Sequence, residues 1–245
     1  MYTDPGFDGS TLAYFRLLEG PTATTYKNEV TGTNDLSNNA GTIIPGVPGP
    51  YGYLGGSAVP GGAVYVKGLD AGSRMVTAAG AFEAGTSALT LSAWVRLIDY
   101  GVGDNAWILM KAARPSWSSP FYIAALYLNS GVSLAFLVVL GGSTLATISV
   151  PLQFIPLNEW CLFAGTFDGA NICLYVNGAL VAGPVAASGT IVYSSGGNAS
   201  PWVVGEPNGL SGNYSTFYIG SFWIDNVARS AAELLTRYQA GAKRY

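Results

Sequence analysis

Histidine is absent from this 245-residue chain, and cysteine occurs only twice. Without histidine, the chain cannot assemble a Ser-His-Asp triad or a Cys-His catalytic pair. A structural zinc site is excluded as well, because two thiols cannot supply the four ligands that such a site requires. The composition therefore removes these hydrolase classes and the zinc proteins from consideration.

Charge is scarce too, since 10% of the residues are charged against about 25% in an average soluble domain. The 11 Lys and Arg residues are scattered, the net charge is −3, and no basic stripe can neutralise several phosphates. Nucleic acid is therefore excluded as a partner, and an anionic membrane surface is disfavoured for the same reason. The apolar stretch of residues 132–140, interrupted only by Ser133, is too short for a membrane-spanning helix of about 20 residues, and it predicts a doubly buried strand.

Glycine (33 residues) and tyrosine (15 residues) are abundant, whereas charged residues that favour helices are few. This composition is typical of strands and turns. The chain length fits one large β domain, for which about 200–250 residues is ordinary.

The most informative stretch is WCLFAGTFDGANICLYVNG, residues 160–178, which predicts two consecutive β-hairpins. Asp168-Gly169 and Asn177-Gly178 are dipeptides that two-residue hairpin turns favour, because both central residues need positive φ. With Asp168 and Gly169 as the central residues of the first turn, three pairs would share one apolar face: Phe163 with Leu174, Gly165 with Ile172, and Cys161 with Val176. Across the second turn, Leu174 would pair with Val181 on the same face. The stretch therefore predicts a three-stranded antiparallel meander with one face toward a core.

The same turn places Cys161 and Cys173 on opposite faces of the sheet. A three-residue turn would put them on one face but roughly 13 Å apart along the strand, beyond the reach of a disulfide. The sequence therefore predicts two buried free thiols.

Other stretches share a recognisable pattern with this meander, namely LTLSAWVRL (Leu89–Leu97), FWIDNVARSAAELLTRY (222–238) and, more weakly, LAYFRLLEG (12–20). Together they resemble the laminin-G-like, concanavalin A-like jelly-roll superfamily. The resemblance implies an all-β fold, a single antiparallel β-sandwich over residues 1–245 with one short C-terminal helix. That superfamily includes lectins, adhesion modules, glycosidases, lyases and virus-particle proteins, so the resemblance leaves the function open.

Two details concern the C-terminal part. Ser230 and Glu233 have the spacing of a capping box, which predicts a helix that ends near Gly241. Asp225 falls where the family pattern carries an aspartate, and we expect it to hydrogen-bond nearby backbone at the end of its strand.

Residues 21–60 are rich in Gly, Pro, Asn and Thr. Forty residues of this composition are too many for an ordinary loop inside a compact domain. Two interpretations are open: an extended arm that contacts a neighbouring subunit, or a run of short edge strands on the same sandwich.

Catalytic carboxylates are not indicated. A glycosidase needs two carboxylates about 5–10 Å apart, and the Glu-x-Asp-x-x-Glu motif usual in the glycosidases of this superfamily is absent. The sequence therefore predicts that the chain is not an enzyme. No cofactor is expected, with calcium as a weak alternative at Asp99 and Asp104, because two carboxylates supply too few of the 6–8 oxygens that calcium requires.

Aromatic side chains on loops are the feature that favours glycan contact, since sugar rings stack on aromatic faces. The candidates for glycan or partner contact are Tyr100, Trp117, Trp202 and Tyr214. The alternative role for these four is to cover the ends of the sandwich or to form a contact between subunits. Trp94, Trp160 and Trp223 lie within strand patterns, and we expect them in the core.

These observations favour a non-enzymatic structural or adhesion protein on the virion surface of a bacteriophage, as capsid decoration or as a tail or fibre component. The N-terminal MYTDPGFDGS predicts no signal peptide, and three explanations are open: a trimmed sequence, export by another route, or release from the cell by lysis as part of a virus particle. The expected partners are other virion proteins, further copies of the chain in a homo-oligomer, and a cell-surface glycan. The alternatives are a stand-alone extracellular carbohydrate-binding module and, third, a divergent glycoside hydrolase or lyase.

Overall fold

The computed structural model describes residues 7–50, 62–68, 72–83, 86–101, 105–113, 122–129, 131–193, 199–206 and 215–242. These described residues form sixteen β-strands, one 3₁₀ helix (Leu152–Phe154) and one α-helix, α1 (Ala231–Ala242). The strands are β1 (Thr11–Phe15), β2 (Thr25–Tyr26), β3 (Leu36–Ala40), β4 (Ile43–Pro48), β5 (Gly62–Val66), β6 (Arg74–Val76), β7 (Leu89–Leu97), β8 (Asn105–Ala112), β9 (Tyr122–Asn129), β10 (Ser133–Leu140), β11 (Thr144–Pro151), β12 (Trp160–Phe167), β13 (Asn171–Val176), β14 (Ala179–Ala186), β15 (Trp202–Gly205) and β16 (Phe217–Asp225). Within the described residues, no helix is both long and apolar enough to cross a membrane.

Two antiparallel sheets pack face to face, which confirms the β-sandwich that the sequence predicts. Sheet A has the strand order β14-β13-β12-β7-β16-β5-β4, and β1 also pairs with β16. Sheet B has the order β11-β10-β9-β8-β15-β6-β3-β2. The strands β7, β12 and β16, which carry the family resemblance, are neighbours in sheet A.

The core lies between the inner faces of the two sheets, and side chains alternate between this core and the outer faces. In β10, Leu134 and Phe136 belong to the inter-sheet core, whereas Ala135 and Leu137 belong to a cluster on the outer face of sheet B. All eight residues of β10 are buried, which confirms the doubly buried strand predicted for this apolar run.

The register of the first predicted hairpin is wrong by two residues. The observed pairs are Phe163 with Val176, Gly165 with Leu174 and Phe167 with Ile172. The Asp168 carboxylate accepts hydrogen bonds from the backbone N–H groups of Ala170 and Asn171, at 2.8 and 2.6 Å. Asp168 therefore pairs with Asn171, and Gly169 and Ala170 become the central turn residues. A slide of two residues keeps each side chain on its face, so the predicted apolar face still lines the core.

The second predicted turn is confirmed, because Asn177 and Gly178 have positive φ between the paired residues Val176 and Ala179. Irregularities in the pairing of β13 with β14 then place Leu174 opposite Ala182 rather than the predicted Val181.

The two cysteines lie on opposite faces, as the sequence predicts, and both are free thiols. Cys161 packs in the inter-sheet core, whereas Cys173 is only half-buried on the outer face of sheet A, so the predicted burial is wrong for Cys173. Burial raises the pKa of the Cys161 thiol to about 11.

The capping box forms at the start of α1. The backbone N–H of Ser230 donates to Glu233 Oε2 at 2.8 Å, and the N–H of Glu233 donates to Ser230 Oγ at 3.3 Å. Helix α1 then packs on the outer face of sheet A, where Leu234 contacts Ala164 and Tyr175. This arrangement confirms the predicted C-terminal helix.

Two of the three tryptophans expected in the core are buried as predicted, in a hydrophobic cluster on the outer face of sheet A. Trp94 and Trp223 are buried, and α1 covers them: Tyr238 stacks on Trp94 at 5.6 Å between ring centroids, and the Arg237 guanidinium lies 5.0 Å from the Trp223 ring. Trp160 is only half-buried. The prediction is therefore wrong only for Trp160, and it holds for Trp94 and Trp223 because α1 buries this outer face as sheet B buries the inner one.

The Gly- and Pro-rich segment contributes short edge strands over its described part, one of the two interpretations left open by the sequence. β2 and β3 lie at the edge of sheet B, and β4 lies at the edge of sheet A. The remainder of the segment, residues 51–60, lies outside the described residues.

Candidate functional site

Five side chains from five neighbouring strands form a continuous row on the outer face of sheet A. Direct cross-strand pairing joins Ile44 to Tyr65, Tyr65 to Tyr218, Tyr218 to Arg96, and Arg96 to Trp160. Their neighbours along the strands, such as Val64, Val66, Val95, Phe217 and Cys161, belong to the inter-sheet core, so the row faces outward. Strands lie about 4.8 Å apart, which gives the row a length of about 19 Å. We call these five residues the outer row.

The aromatic rings of the outer row contact one another. The Tyr65 and Tyr218 ring centroids are 5.0 Å apart, and those of Trp160 and Tyr218 are 6.5 Å apart. All three side chains are half-buried, and Ile44 at the sheet edge is 46% exposed. Trp160 also packs against the buried cluster under α1. The rings are therefore fixed by their neighbours while part of their surface remains accessible.

Arg96 supplies the charge of the outer row. Its guanidinium carbon lies 4.5 Å from the Tyr218 ring centroid, which is within cation–π range. In the part of the chain that the structure describes, no carboxylate pairs with Arg96, and its Nε is buried without a hydrogen-bond partner.

Polar groups lie beside the row. Lys67 is two residues beyond Tyr65, which puts it on the same face of sheet A, and it is half-buried. Its backbone N–H donates to the Thr42 carbonyl at 3.2 Å, so the strand pairing continues to this position. Asn158 is exposed just before β12. The outer row thus combines aromatic faces with nearby ammonium, guanidinium and amide groups.

The sequence-predicted contact residues lie elsewhere. Tyr100 is half-buried, and its hydroxyl donates to the Ile155 carbonyl at 2.7 Å. Trp202 was predicted at a loop edge, but it lies in β15, is 1% exposed, and donates from Nε1 to the Ala81 carbonyl at 3.1 Å. Its loop-edge position is therefore wrong, because the ring completes the core at this end of the sandwich. Trp117 and Tyr214 lie outside the described residues.

The calcium candidates are only partly described. The Asp99 carboxylate accepts hydrogen bonds from the backbone N–H groups of Gly101 at 2.9 Å and Thr216 at 3.1 Å, so it ties two loops together. Asp104 lies outside the described residues. Among the described residues, no group of three or more Cys, Asp or Glu side chains could hold a metal ion. Calcium binding stays a prediction.

Asp225 has a structural role that involves side chains rather than the expected nearby backbone. It is fully buried and accepts hydrogen bonds from Arg229 Nη2 at 2.8 Å, Arg237 Nη1 at 2.7 Å and Thr11 Oγ1 at 2.8 Å. The expectation fails because the turn before α1 and α1 itself return over the end of β16 and bring the Arg229 and Arg237 guanidinium groups to the carboxylate. The carboxylate joins β1, β16 and α1.

A second charged cluster lies in the sandwich interior. Lys111 is 0% exposed, and its Nζ is 2.9 Å from Glu83 Oε1, 2.6 Å from the Ser200 carbonyl and 3.4 Å from the Ala81 carbonyl. Burial lowers the pKa of Lys111, and the neighbouring Glu83 carboxylate opposes that shift. With three acceptors around its ammonium group, Lys111 ties together the segments that contain Ala81, Glu83 and Ser200.

Sequence reasoning missed most of the outer row. Alternation in GAVYV and FYIG indicates that Tyr65 and Tyr218 face away from their valine and isoleucine neighbours. That signal identifies the face of each residue but not the neighbouring strand, so it cannot reveal the row.

Comparison with known proteins agrees with this architecture. The family model Laminin_G_3, described as the concanavalin A-like lectin/glucanases superfamily, matches residues 69–235, more than half of the chain. No curated protein matches the chain.

Solved structures share the fold at low sequence identity. The botulinum neurotoxin type G receptor binding domain matches with a TM-score of 0.62 and 13% identity over 94% of this chain and 51% of that chain. The botulinum neurotoxin serotype D binding domain matches with a TM-score of 0.64 and 10% identity over 94% of this chain and 50% of that one. A Trypanosoma rangeli sialidase matches with a TM-score of 0.63 and 14% identity over 95% of this chain and 33% of that one.

The chain thus spans about half of the toxin domains and a third of the sialidase, and these likenesses concern the fold. The family match covers strands of both sheets and the start of α1. The chain belongs to the concanavalin A-like lectin/glucanase superfamily.

Proposed function

We propose that this chain is a non-enzymatic, lectin-like adhesion module that binds a glycan on the outer row of sheet A. The observation that carries the proposal is the in-register series Tyr65, Tyr218, Arg96 and Trp160, which places aromatic rings and a guanidinium group side by side. Sugar C–H faces stack on such rings, while hydroxyl groups hydrogen-bond to polar side chains beside them. The fold is shared with a toxin receptor-binding domain and with a sialidase solved in complex with sialic acid, which supports a recognition role.

The non-enzymatic part of the proposal rests on the residues that would have to react. The chain has no histidine. Several of the described carboxylates have structural partners: Asp225 and Asp8 bind Arg229, Asp99 and Asp168 bind turn N–H groups, Glu83 binds Lys111, and Glu233 caps α1. The wild-type protein incubated with each bound glycan should therefore release no cleaved product by mass spectrometry.

The location proposed for this module is the surface of a bacteriophage particle, where it would assemble as a homo-oligomer beside other virion proteins. The low content of charged residues and the superfamily, which the sequence resemblance connects with virus-particle proteins, support that location. Light scattering of the purified protein should give a mass several times that of one chain. A monomer would favour the alternative of a stand-alone carbohydrate-binding module.

A glycan array tests the binding site directly. The wild-type chain should bind at least one glycan class, and Tyr218→Ala should weaken that binding by about two- to tenfold, because stacking on an aromatic ring contributes about 0.5–1.5 kcal/mol. Tyr122→Ala is the matched control, since Tyr122 is also half-buried but lies in β9 of sheet B. A silent array, or equal losses in the two variants, would contradict the proposal.

A further inference from the structure

We infer that the glycan bound by the outer row is acidic and that Arg96 binds its carboxylate or sulfate group. This inference rests on the glycan-binding function proposed above and specifies the ligand of that same site. It starts from the guanidinium group, which is half-buried and makes no ion pair in the described part of the chain. By contrast, two buried arginines near the C-terminal end each bind a carboxylate. Arg229 in the turn before α1 and Arg237 within α1 both pair with Asp225.

The surroundings of Arg96 orient it for a planar anion. The Tyr218 ring lies against the guanidinium at 4.5 Å, and Trp160 pairs with Arg96 from the other neighbouring strand. A guanidinium group presents paired N–H donors that match the two oxygens of a carboxylate or sulfate. No carboxylate among the described residues pairs with the Arg96 guanidinium.

The spacing of the row suits a sugar that carries an acidic substituent. Adjacent positions of the row are about 4.8 Å apart. A sugar ring that stacks on Tyr218 or Trp160 therefore brings its substituent to the neighbouring Arg96. A neutral sugar would occupy the rings and leave the guanidinium without a charged partner.

The charges on this face add to the preference. Lys67 shares the outer face of sheet A with Tyr65, so two cations lie on one part of a chain whose net charge is −3. Glu159 is exposed directly before β12 and is the acidic residue next to Trp160 in the sequence. The row itself contains no carboxylate, since its members are Ile44, Tyr65, Tyr218, Arg96 and Trp160.

Matched acidic and neutral probes test the inference by isothermal titration calorimetry. The pairs are sialyllactose against lactose, sulfated lactose against lactose, and oligogalacturonate against its methyl ester. We expect the acidic member of at least one pair to bind at least tenfold more tightly, with the advantage shrinking at high salt because exposed charge interactions are screened. The pair that shows this advantage distinguishes a carboxylate ligand from a sulfate ligand.

Substitutions at Arg96 then separate charge recognition from stacking. Arg96→Gln should reduce the acidic-to-neutral affinity ratio to about one, and Arg96→Lys should restore only part of it, since lysine keeps the charge without the paired donors. Arg74→Gln is the matched control, because Arg74 is half-buried in β6 of sheet B and hydrogen-bonds to Asn39. Its affinity ratio should equal that of the wild type.

The failure of this inference can be told apart from the failure of the glycan-binding function. If neutral probes bind as tightly as acidic ones and Tyr218→Ala weakens both, the surface binds glycans but the acidic inference is overturned. Equal losses of acidic and neutral binding in Arg96→Gln would overturn the acidic inference as well. If no probe binds and the glycan array is silent, both proposals are overturned.

Discussion

Phe136 of sheet B packs directly onto the backbone of Gly165 in sheet A. A Cβ atom added at Gly165 would overlap the Phe136 ring, and both residues lie in central parts of their strands, β10 and β12. Glycine normally weakens a strand, and here its missing side chain makes room for a ring from the opposite sheet. The contact therefore helps to set how closely the two sheets approach.

Gly165→Ala should destabilise the fold by about 1–3 kcal/mol, the usual cost of overpacking a filled core. Urea unfolding followed by tryptophan fluorescence would show the loss as a lower midpoint. Gly20→Ala is the control, because nothing lies within 4 Å of a Cβ added there. Adding Phe136→Leu to Gly165→Ala should recover part of the loss, and additive effects in that double variant would contradict a direct contact.

Lys111 should make stability depend on pH in the alkaline range. Burial lowers its pKa from 10.5, so the folded chain releases this proton at a lower pH than the unfolded chain does. Between the two pKa values the unfolded chain binds more protons, and the free energy of unfolding therefore rises with pH. Urea unfolding at increasing pH up to just below the tyrosine range near 10 should show this rise in a Cys161→Ser background, because the raised pKa of the buried Cys161 thiol makes stability fall with pH over part of the same range.

Two variants check that assignment. In the Cys161→Ser background, Lys111→Met removes the titrating group, so its free energy of unfolding should lack the rise that the protein with Lys111 shows. Glu83→Gln removes the group that opposes the shift, so the rise should begin at a lower pH. Parallel profiles for all three proteins would show that Lys111 is not responsible.

Asp225 is expected to hold α1 on sheet A. Asp225→Asn leaves Arg229 and Arg237 without their buried carboxylate, and breaking a buried ion pair on one side costs about 3–5 kcal/mol. Because Tyr238 of α1 stacks on Trp94, hydrogen exchange should increase first in α1 and then in β7. Glu159→Gln, at an exposed position, is the control, and equal exchange in α1 for the two variants would contradict this role.

The sequence predicted the faces of the strands better than their neighbours. In β12 and β13 the alternating pattern assigned Phe163 and Leu174 to the core face correctly, while the register was wrong because the Asp168 carboxylate caps the turn. The outer row joins residues as distant in the sequence as Ile44 and Tyr218. Periodicity within a strand contains no information about which distant strand lies beside it, so only the structure could reveal this surface.

The two thiols should differ sharply in reactivity. Cys161 is 2% exposed and burial raises its pKa to about 11, so little of it is thiolate at pH 8, whereas Cys173 is half-buried on the outer face of sheet A. Titration of the native protein with an aromatic disulfide reagent at about pH 8 should therefore detect one fast-reacting thiol, and denaturant should release the second. Cys173→Ser should remove the fast phase and Cys161→Ser should leave it intact.

The same titration tests the register of β12 and β13. Because the two side chains lie on opposite faces of the sheet, denaturation without reductant should expose both thiols. If a reductant were needed, the observed register would be wrong.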